Sequence, residues 1–231
     1  MGRADFLYSG FLSKLQYEAT SCQDALLRKV ADFVSSDEND ILVVNGYAGT
    51  GKTTAVSAVI SVMKEFGTKC ILLAPTGRAA KVLSSYAGQP AYTIHKHIYR
   101  QKSVGGDGFG QFSLAPNKDK ETLFIVDEAS MISNDAMSGA GGLLDDLIEF
   151  VYSGPGCSML LLGDTAQLPP VGEYLSPALT ESYLRSMFLD VTATRLTQVM
   201  RQLSESGILY NATMLRQRID EEETYDPPQI T

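Results

Sequence analysis

Apolar and polar positions follow two regimes along this chain. Continuous apolar runs at 41–44, 70–74, 123–126 and 158–162 read as strands buried on both faces. Residues 192–196 read as a fifth strand. Between these runs the apolar residues fall at helical spacing. Ala25, Leu26, Val30, Phe33 and Val34 form one stripe over 23–34, and 55–63, 78–86 and 143–151 repeat the pattern. Residues 93–100 predict a short helix and 204–219 another. Phe6, Leu7, Phe11, Leu12 and Leu15 make 1–20 a short amphipathic segment. Strand, loop and helix in alternation predict an α/β fold, a parallel sheet covered by helices on both faces.

The breakers agree with this division. Residues 35–40 form a loop, and Pro75, Thr76 and Gly77 interrupt the second strand. Gly88, Gln89 and Pro90 turn the chain, and Gly139 to Gly142 is flexible. Residues 101–121, rich in glycine, predict a long loop or an irregular hairpin, and such insertions are often functional. The acidic, proline-containing stretch 220–231 reads as a solvated tail or linker. No internal repeat is visible.

The first strand runs directly into Gly46-Tyr47-Ala48-Gly49-Thr50-Gly51-Lys52-Thr53-Thr54. Four residues separate Gly46 from Gly51, and Lys52 and Thr53 follow, which is the P-loop pattern. Glycines let the backbone curl so that several N–H groups point at one phosphate chain. The helix that opens at Lys52 adds the positive end of its dipole. In such a loop Lys52 reaches the β- and γ-phosphates of ATP, and the Thr53 hydroxyl binds Mg²⁺.

Ligands of open α/β sheets sit at the carboxyl ends of the strands. Here those ends carry Lys52 with Thr53, Thr76, Asp127 with Glu128, and Asp164 with Gln167. An apolar strand closing on Asp-Glu downstream of a P-loop is the Walker B arrangement. Asp127 is then the Mg²⁺ carboxylate, and Glu128 the base that orients and deprotonates the attacking water. Gln167 is a candidate sensor of the γ-phosphate.

Composition is that of an ordinary globular chain of 231 residues. Cys22, Cys70 and Cys157 are far apart and form no C-x-x-C pair, so neither zinc nor a disulfide framework is expected. No apolar run is long enough to span a membrane, and no secretory leader is seen. A reducing, cytoplasmic setting is the expectation. Net charge is -8, which argues against binding of polyanions by the whole surface. Yet Asp and Glu are absent from 66 to 106, while Lys69, Arg78, Lys81, Lys96, Arg100, Lys102 and both histidines lie there. That is the footprint of a local polyanion site, or of a stretch partly buried as strand and helix.

Six motifs in order carry a resemblance. They are Gly46 to Thr53; Ala74-Pro75-Thr76-Gly77-Arg78-Ala79-Ala80; Thr93-Ile94-His95; Val126-Asp127-Glu128-Ala129-Ser130; Gly163-Asp164-Thr165-Ala166-Gln167-Leu168-Pro169-Pro170-Val171; and Leu196-Thr197-Gln198-Val199-Met200-Arg201. The set resembles superfamily 1 DNA helicases of the RecD-like and Dda-like branch, including exodeoxyribonuclease V alpha-like chains of DNA repair and recombination. The resemblance implies a RecA-like P-loop motor domain. It implies that Gln23 reads adenine, and that Gly46, Ala48, Gly49, Thr50, Gly51, Lys52, Thr53 and Thr54 hold the nucleotide. Pro75, Thr76, Arg78, Thr93 and His95 would touch single-stranded DNA, and Arg201 would meet the γ-phosphate. Repair or replication proteins are further implied partners. The 101–121 stretch sits where this family carries a duplex-splitting hairpin.

The resemblance divides the chain into a helical segment at 1–40, a RecA-like ATPase domain at 41–190 and the tail at 220–231. It gives 191–219 to the opening strand and helix of a second RecA-like domain. The later motifs of that domain do not appear before Thr231, so a truncated chain is expected, one that binds nucleotide without unwinding. Its strand and helix are expected to dock loosely on the first domain or to be disordered. The predicted function is that of an ATP-dependent helicase motor, 5′-to-3′ by resemblance. The alternatives are a non-translocating module that binds ATP and DNA or protein, and a P-loop kinase. The Gly163-to-Gln167 motif and Arg201 speak against the kinase.

Overall fold

Ile41 and Val43 pack into one hydrophobic cluster, and Leu42 and Val44 into another on the opposite face of the same strand. This is the two-residue period of the pleat applied to a continuous apolar run, and it demands cover on both sides. In the computed structural model of the protein, residues 2–36, 40–101, 112–134, 142–198 and 214 are described. The strands are β1 (Ile41–Gly46), β2 (Lys69–Ala74), β3 (Ala91–Thr93), β4 (Tyr99–Gln101), β5 (Phe112–Leu114), β6 (Thr122–Val126), β7 (Ser158–Gly163) and β8 (Val191–Leu196). Six of them form one sheet in the order β3-β2-β6-β7-β1-β8, with every pairing parallel.

Helices α1 (Arg3–Ser13), α2 (Ser21–Phe33), α3 (Lys52–Glu65) and α4 (Gly77–Ala87) cover one face. Helices α5 (Ile94–Ile98), α6 (Leu143–Tyr152) and α7 (Glu181–Ser186) cover the other. The expected parallel α/β sandwich is therefore present. Local chemistry fixes the helix starts. Thr20 accepts the Gln23 N–H at 3.3 Å while Gln23 Oε1 accepts the Thr20 N–H at 3.0 Å, a reciprocal cap that begins α2 at Ser21. The stripe of α2 is rotated from the predicted one: Leu27 and Ala31 are buried and Ala25 is exposed. In α1, Leu7 and Phe11 enter the core, whereas Phe6 stays outside with its ring edge-on to Phe66.

Two sequence expectations change and a third is narrowed to one of its alternatives. Residues 93–100 are not one helix. Thr93 ends β3 and accepts the Lys96 N–H at 3.2 Å, which starts the short α5. Tyr99 then turns extended and opens β4. Strand β3 is too short for periodicity to reveal it. The 101–121 stretch resolves toward the hairpin, because β4 and β5 pair antiparallel with Tyr99 opposite Leu114 and Gln101 opposite Phe112. Residues 102–111 lie outside the described set.

The largest change concerns β8, which the motif order gives to a second domain. It is the edge strand of this sheet, in register with β1 from Ile41 opposite Val191 to Gly46 opposite Leu196. Val191 and Leu196 are buried, and the Tyr47 N–H reaches the Leu196 carbonyl at 3.2 Å. A strand is stable where a neighbour satisfies its backbone, and β1 supplies that neighbour. The helix predicted at 204–219 and the 220–231 tail fall outside the described residues. Among the described residues no helix is long and apolar enough to cross a membrane.

Candidate functional site

Because the six strands are parallel, their carboxyl ends share one edge of the sheet. That edge gathers the glycine loop after β1, Pro75 and Thr76 after β2, Thr93 at the end of β3, Asp127 and Glu128 after β6, and Asp164 to Gln167 after β7. Arg201 lies outside the described residues.

The glycines of the loop have steric reasons. A Cβ on Gly46 would stand 3.0 Å from the Lys52 side chain and 3.1 Å from Leu196 Cβ. Gly49 and Gly51 have φ of 79° and 78°, in the left-handed region that side chains disfavour. Gly51 caps α3, so the N–H groups of Lys52, Thr53 and Thr54 have no carbonyl four residues back. The Lys52 ammonium lies inside the curl and donates to the carbonyls of Gly46 and Tyr47. Thr53 is exposed on the first turn, and Thr54 is half-buried. The loop thus joins the unpaired N–H groups that open α3 to one ammonium held by two backbone carbonyls, a combination suited to a phosphate chain.

Neighbouring segments brace the loop. Buried Asp164 accepts the Ala48 N–H at 3.1 Å and the Ala166 N–H at 3.0 Å. Asn45 and Thr165 bond each other twice, at 2.8 and 3.1 Å, across β1 and β7. Gln23 is buried, and its Nε2 donates to the Thr50 carbonyl at 3.3 Å. Two predicted nucleotide contacts are therefore engaged within the protein. Ala48 directs its N–H to Asp164, and both ends of the Gln23 amide have partners, since its oxygen serves the α2 cap.

At the end of β6, Asp127 Oδ1 accepts the Glu128 N–H at 2.9 Å and Oδ2 accepts the Tyr86 hydroxyl at 2.6 Å. Glu128 has φ 55°, left-handed for a residue with a side chain, and residues held that way cluster at functional sites. Burial pushes its carboxyl above the ordinary range and the Asp127 charge adds to this, while Lys52 and a Gln167 hydrogen bond pull it down. Lys52, Asp127, Glu128 and Gln167 thus act on one another electrostatically. The Ser130 hydroxyl also reaches Gln167 Oε1, at 3.5 Å. Neither Tyr86 nor the bracing function of Asp164 and Asn45 is visible in the sequence. Tyr86 sits in an ordinary amphipathic helix, and Asp164 stands out only as a polar residue after a strand.

The predicted strand-contacting residues line the β3 side of the same edge. The hydroxyls of Thr76 and Thr93 cap α4 and α5, accepting the N–H groups of Ala79 and Lys96 at 3.2 Å each. Pro75 is half-buried, and Arg78 and His95 are exposed. A groove of about 480 Å³ runs down the sheet edge from there, lined by Gly77, Lys81, Ser84, Tyr92, Thr93 and Lys96. The basic stretch divides. Arg78, Lys81, Lys96 and Arg100 are exposed, whereas Lys69 pairs with Asp119. His97 packs its ring among Tyr92, Phe124 and Phe150, and burial lowers its proton affinity.

A parallel sheet with helices on both faces, a glycine loop after β1 and an acidic pair after β6 defines a P-loop NTPase of the RecA-like kind. The chain belongs to the AAA-domain family AAA_30, whose model matches residues 20–225, and to the RecD-like and Dda-like branch of superfamily 1 helicases. It is 34% identical over 172 residues to the ATP-dependent RecD2 DNA helicase of Deinococcus radiodurans, covering 74% of this chain and 21% of that one. It is 33% identical over 183 residues to the ATP-dependent DNA helicase dda of Enterobacteria phage T4, covering 76% and 37%. The Pif1 helicase structure from Candida albicans shares the fold with a TM-score of 0.54 at 18% identity, covering 87% of this chain and 44% of that one. A structure described as the basis for DNA unwinding at forked dsDNA by two coordinating Pif1 helicases matches with a TM-score of 0.53 at 23% identity, covering 90% and 49%. The chain therefore spans well under two thirds of each of these relatives.

Proposed function

We propose that this chain is the ATP-hydrolysing motor domain of a DNA helicase, using Mg²⁺ and coupled to single-stranded DNA, with 5′-to-3′ polarity. The observation that carries the reading is the meeting of Lys52, inside the glycine loop, with the Asp127–Glu128 pair at one sheet edge. The residues fit ATP and Mg²⁺. A Cβ at Gly46 would crowd the Lys52 side chain and Leu196, and the Lys52 ammonium is held at the loop by two backbone carbonyls. The chemistry of the donors suits Mg²⁺, which commonly takes one or two carboxylates plus substrate phosphates: the Asp127 carboxylate and the Thr53 hydroxyl are oxygen ligands at the same sheet edge.

In this reading the N–H groups opening α3 and the Lys52 ammonium hold the β- and γ-phosphates, and Gln23 lies beside the loop toward the base. Thr53 and Asp127 would hold Mg²⁺, which would offset the negative charge of the phosphates. Glu128 takes the proton of the attacking water as the bond from the γ-phosphorus to the bridging oxygen breaks. Its raised proton affinity suits that task. Gln167, bonded to Glu128, orients the same water. Arg201 is proposed to meet the γ-phosphate. Single-stranded DNA would cross Pro75, Thr76, Arg78, Thr93 and His95 and enter the groove at Lys81 and Lys96, where exposed cations meet small side chains.

A second reading is a non-translocating module that binds ATP and DNA or a partner protein. Steady-state ATP turnover with and without a single-stranded oligonucleotide separates the two. Stimulation by the strand supports the motor; binding of both ligands with no stimulation supports the module.

A further inference from the structure

We infer that Tyr86 is a positioning residue for the Asp127 carboxylate, holding it in the orientation in which it meets a divalent cation. The inference rests on the proposed reading of Asp127 as the metal carboxylate and adds a residue that no motif contains. Tyr86 lies in the last turn of α4, on a different element from the acidic pair. Its hydroxyl donates to Asp127 Oδ2 at 2.6 Å, while the Glu128 N–H holds Oδ1 at 2.9 Å. Two donors from two directions therefore fix both oxygens, and with them both side-chain torsions of Asp127. Each carboxylate oxygen has two lone-pair directions, so the phenol leaves one on Oδ2 for a cation or its water.

Tyr86 is itself anchored. Its carbonyl accepts the Ser57 hydroxyl at 3.0 Å, which ties it to α3, the helix that begins with Lys52. Its ring packs half-buried against the core cluster under the first sheet face. The phenol hydroxyl faces a carboxylate oxygen, which can only accept, so it acts as the donor. The distance between the phosphate loop and the metal carboxylate is thus set through side chains of α3 and α4 as well as through the sheet. Hydrogen-bond partners behind a metal ligand typically account for about tenfold to hundredfold in metal affinity.

The test uses the 231-residue chain, a fluorescent ADP and Mn²⁺. Nucleotide affinity is measured across a Mn²⁺ titration and in EDTA, for the parent, Tyr86→Phe, Tyr86→Leu and Asp127→Asn. Metal binding is followed in parallel by Mn²⁺ paramagnetic resonance with ADP present. Tyr86→Phe keeps the ring and loses one oxygen. It is expected to need about tenfold more Mn²⁺ for half-saturation, with unchanged affinity in EDTA. Tyr86→Leu should show the same metal shift together with a lower melting temperature. A parent-like Mn²⁺ midpoint in both Tyr86 variants, with the midpoint lost in Asp127→Asn, overturns the positioning role and leaves the metal site standing. So does an equal loss of affinity with and without metal, which marks Tyr86 as purely structural. A parent-like midpoint in Asp127→Asn removes the metal reading itself.

Discussion

The Asp164 carboxylate accepts the Ala48 backbone N–H at 3.1 Å, so the loop after β7 holds the phosphate loop after β1 from the side. The same carboxylate takes the Ala166 N–H and is fully buried. Replacing it by alanine strands two backbone donors that now face a charge. Hydrogen bonds to charged groups contribute about 1.5–3 kcal/mol each, so Asp164→Ala should destabilise by at least about 3 kcal/mol. Urea unfolding should show a lower midpoint at constant slope. Nucleotide affinity should fall with it, because the Ala48 peptide loses its anchor.

Lys52→Ala should leave the fold intact and reduce ATP turnover by at least about a hundredfold, the usual effect of removing one preorganised donor from a developing negative charge. Since Lys52 also donates to the Gly46 and Tyr47 carbonyls, a small loss of thermal stability should accompany it. Single-turnover hydrolysis and a melting curve check both. Turnover within twofold of the parent would remove Lys52 from the site.

Glu128→Gln should keep nucleotide binding and lose turnover by about 10²- to 10⁴-fold, the range of a general base. It also carries a pH signature. The Glu128 carboxyl is raised in the folded state, so its contribution to stability is full below the unfolded value and is lost as pH rises through the folded value. Ionised Glu128 is therefore destabilising at neutral pH. The Gln variant should melt above the parent there, with the gap closing as pH falls to the ordinary carboxylate range. Equal melting temperatures at neutral pH would show that Glu128 is not held against its charge.

Arg78→Ala and His95→Ala test the strand track. Each lost phosphate contact should reduce the slope of log K against log salt for a single-stranded oligonucleotide by about 0.7. Arg78 should show the full change, as a permanent cation on an exposed turn of α4. Unaltered affinity and slope in both variants would place the strand elsewhere.

The β-α-β frame is legible because Ile41 to Val44 and the runs after it are buried on both faces, which leaves an unbroken apolar signature. The phosphate loop is legible because Gly46, Gly49 and Gly51 are required by sterics that any sequence must obey. Strand β3 is hidden because three residues cannot show a period. The place of β8 is hidden because Thr192, Ala193, Thr194 and Arg195 pair with β1 through backbone, which leaves no trace in side-chain pattern. The contacts made by Tyr86 and Gln23 are hidden for a different reason. They depend on a hydroxyl and an amide arriving from other elements at Asp127 and Thr50, and such meetings exist only after folding.

The phosphate loop is held by the Leu196 carbonyl at Tyr47, by Asp164 at Ala48 and by Gln23 at Thr50. A loop fastened at three of four successive residues has its conformational freedom removed at folding, before any ligand arrives. Nucleotide association then needs no slow rearrangement and should proceed at the rate of ordinary docking. Variants that loosen a fastening should let nucleotide leave sooner, with capture nearly unchanged, since preorganisation and interface changes act mainly on dissociation. Residence time, read by stopped-flow chase of a fluorescent ADP, is the quantity these three hydrogen bonds set.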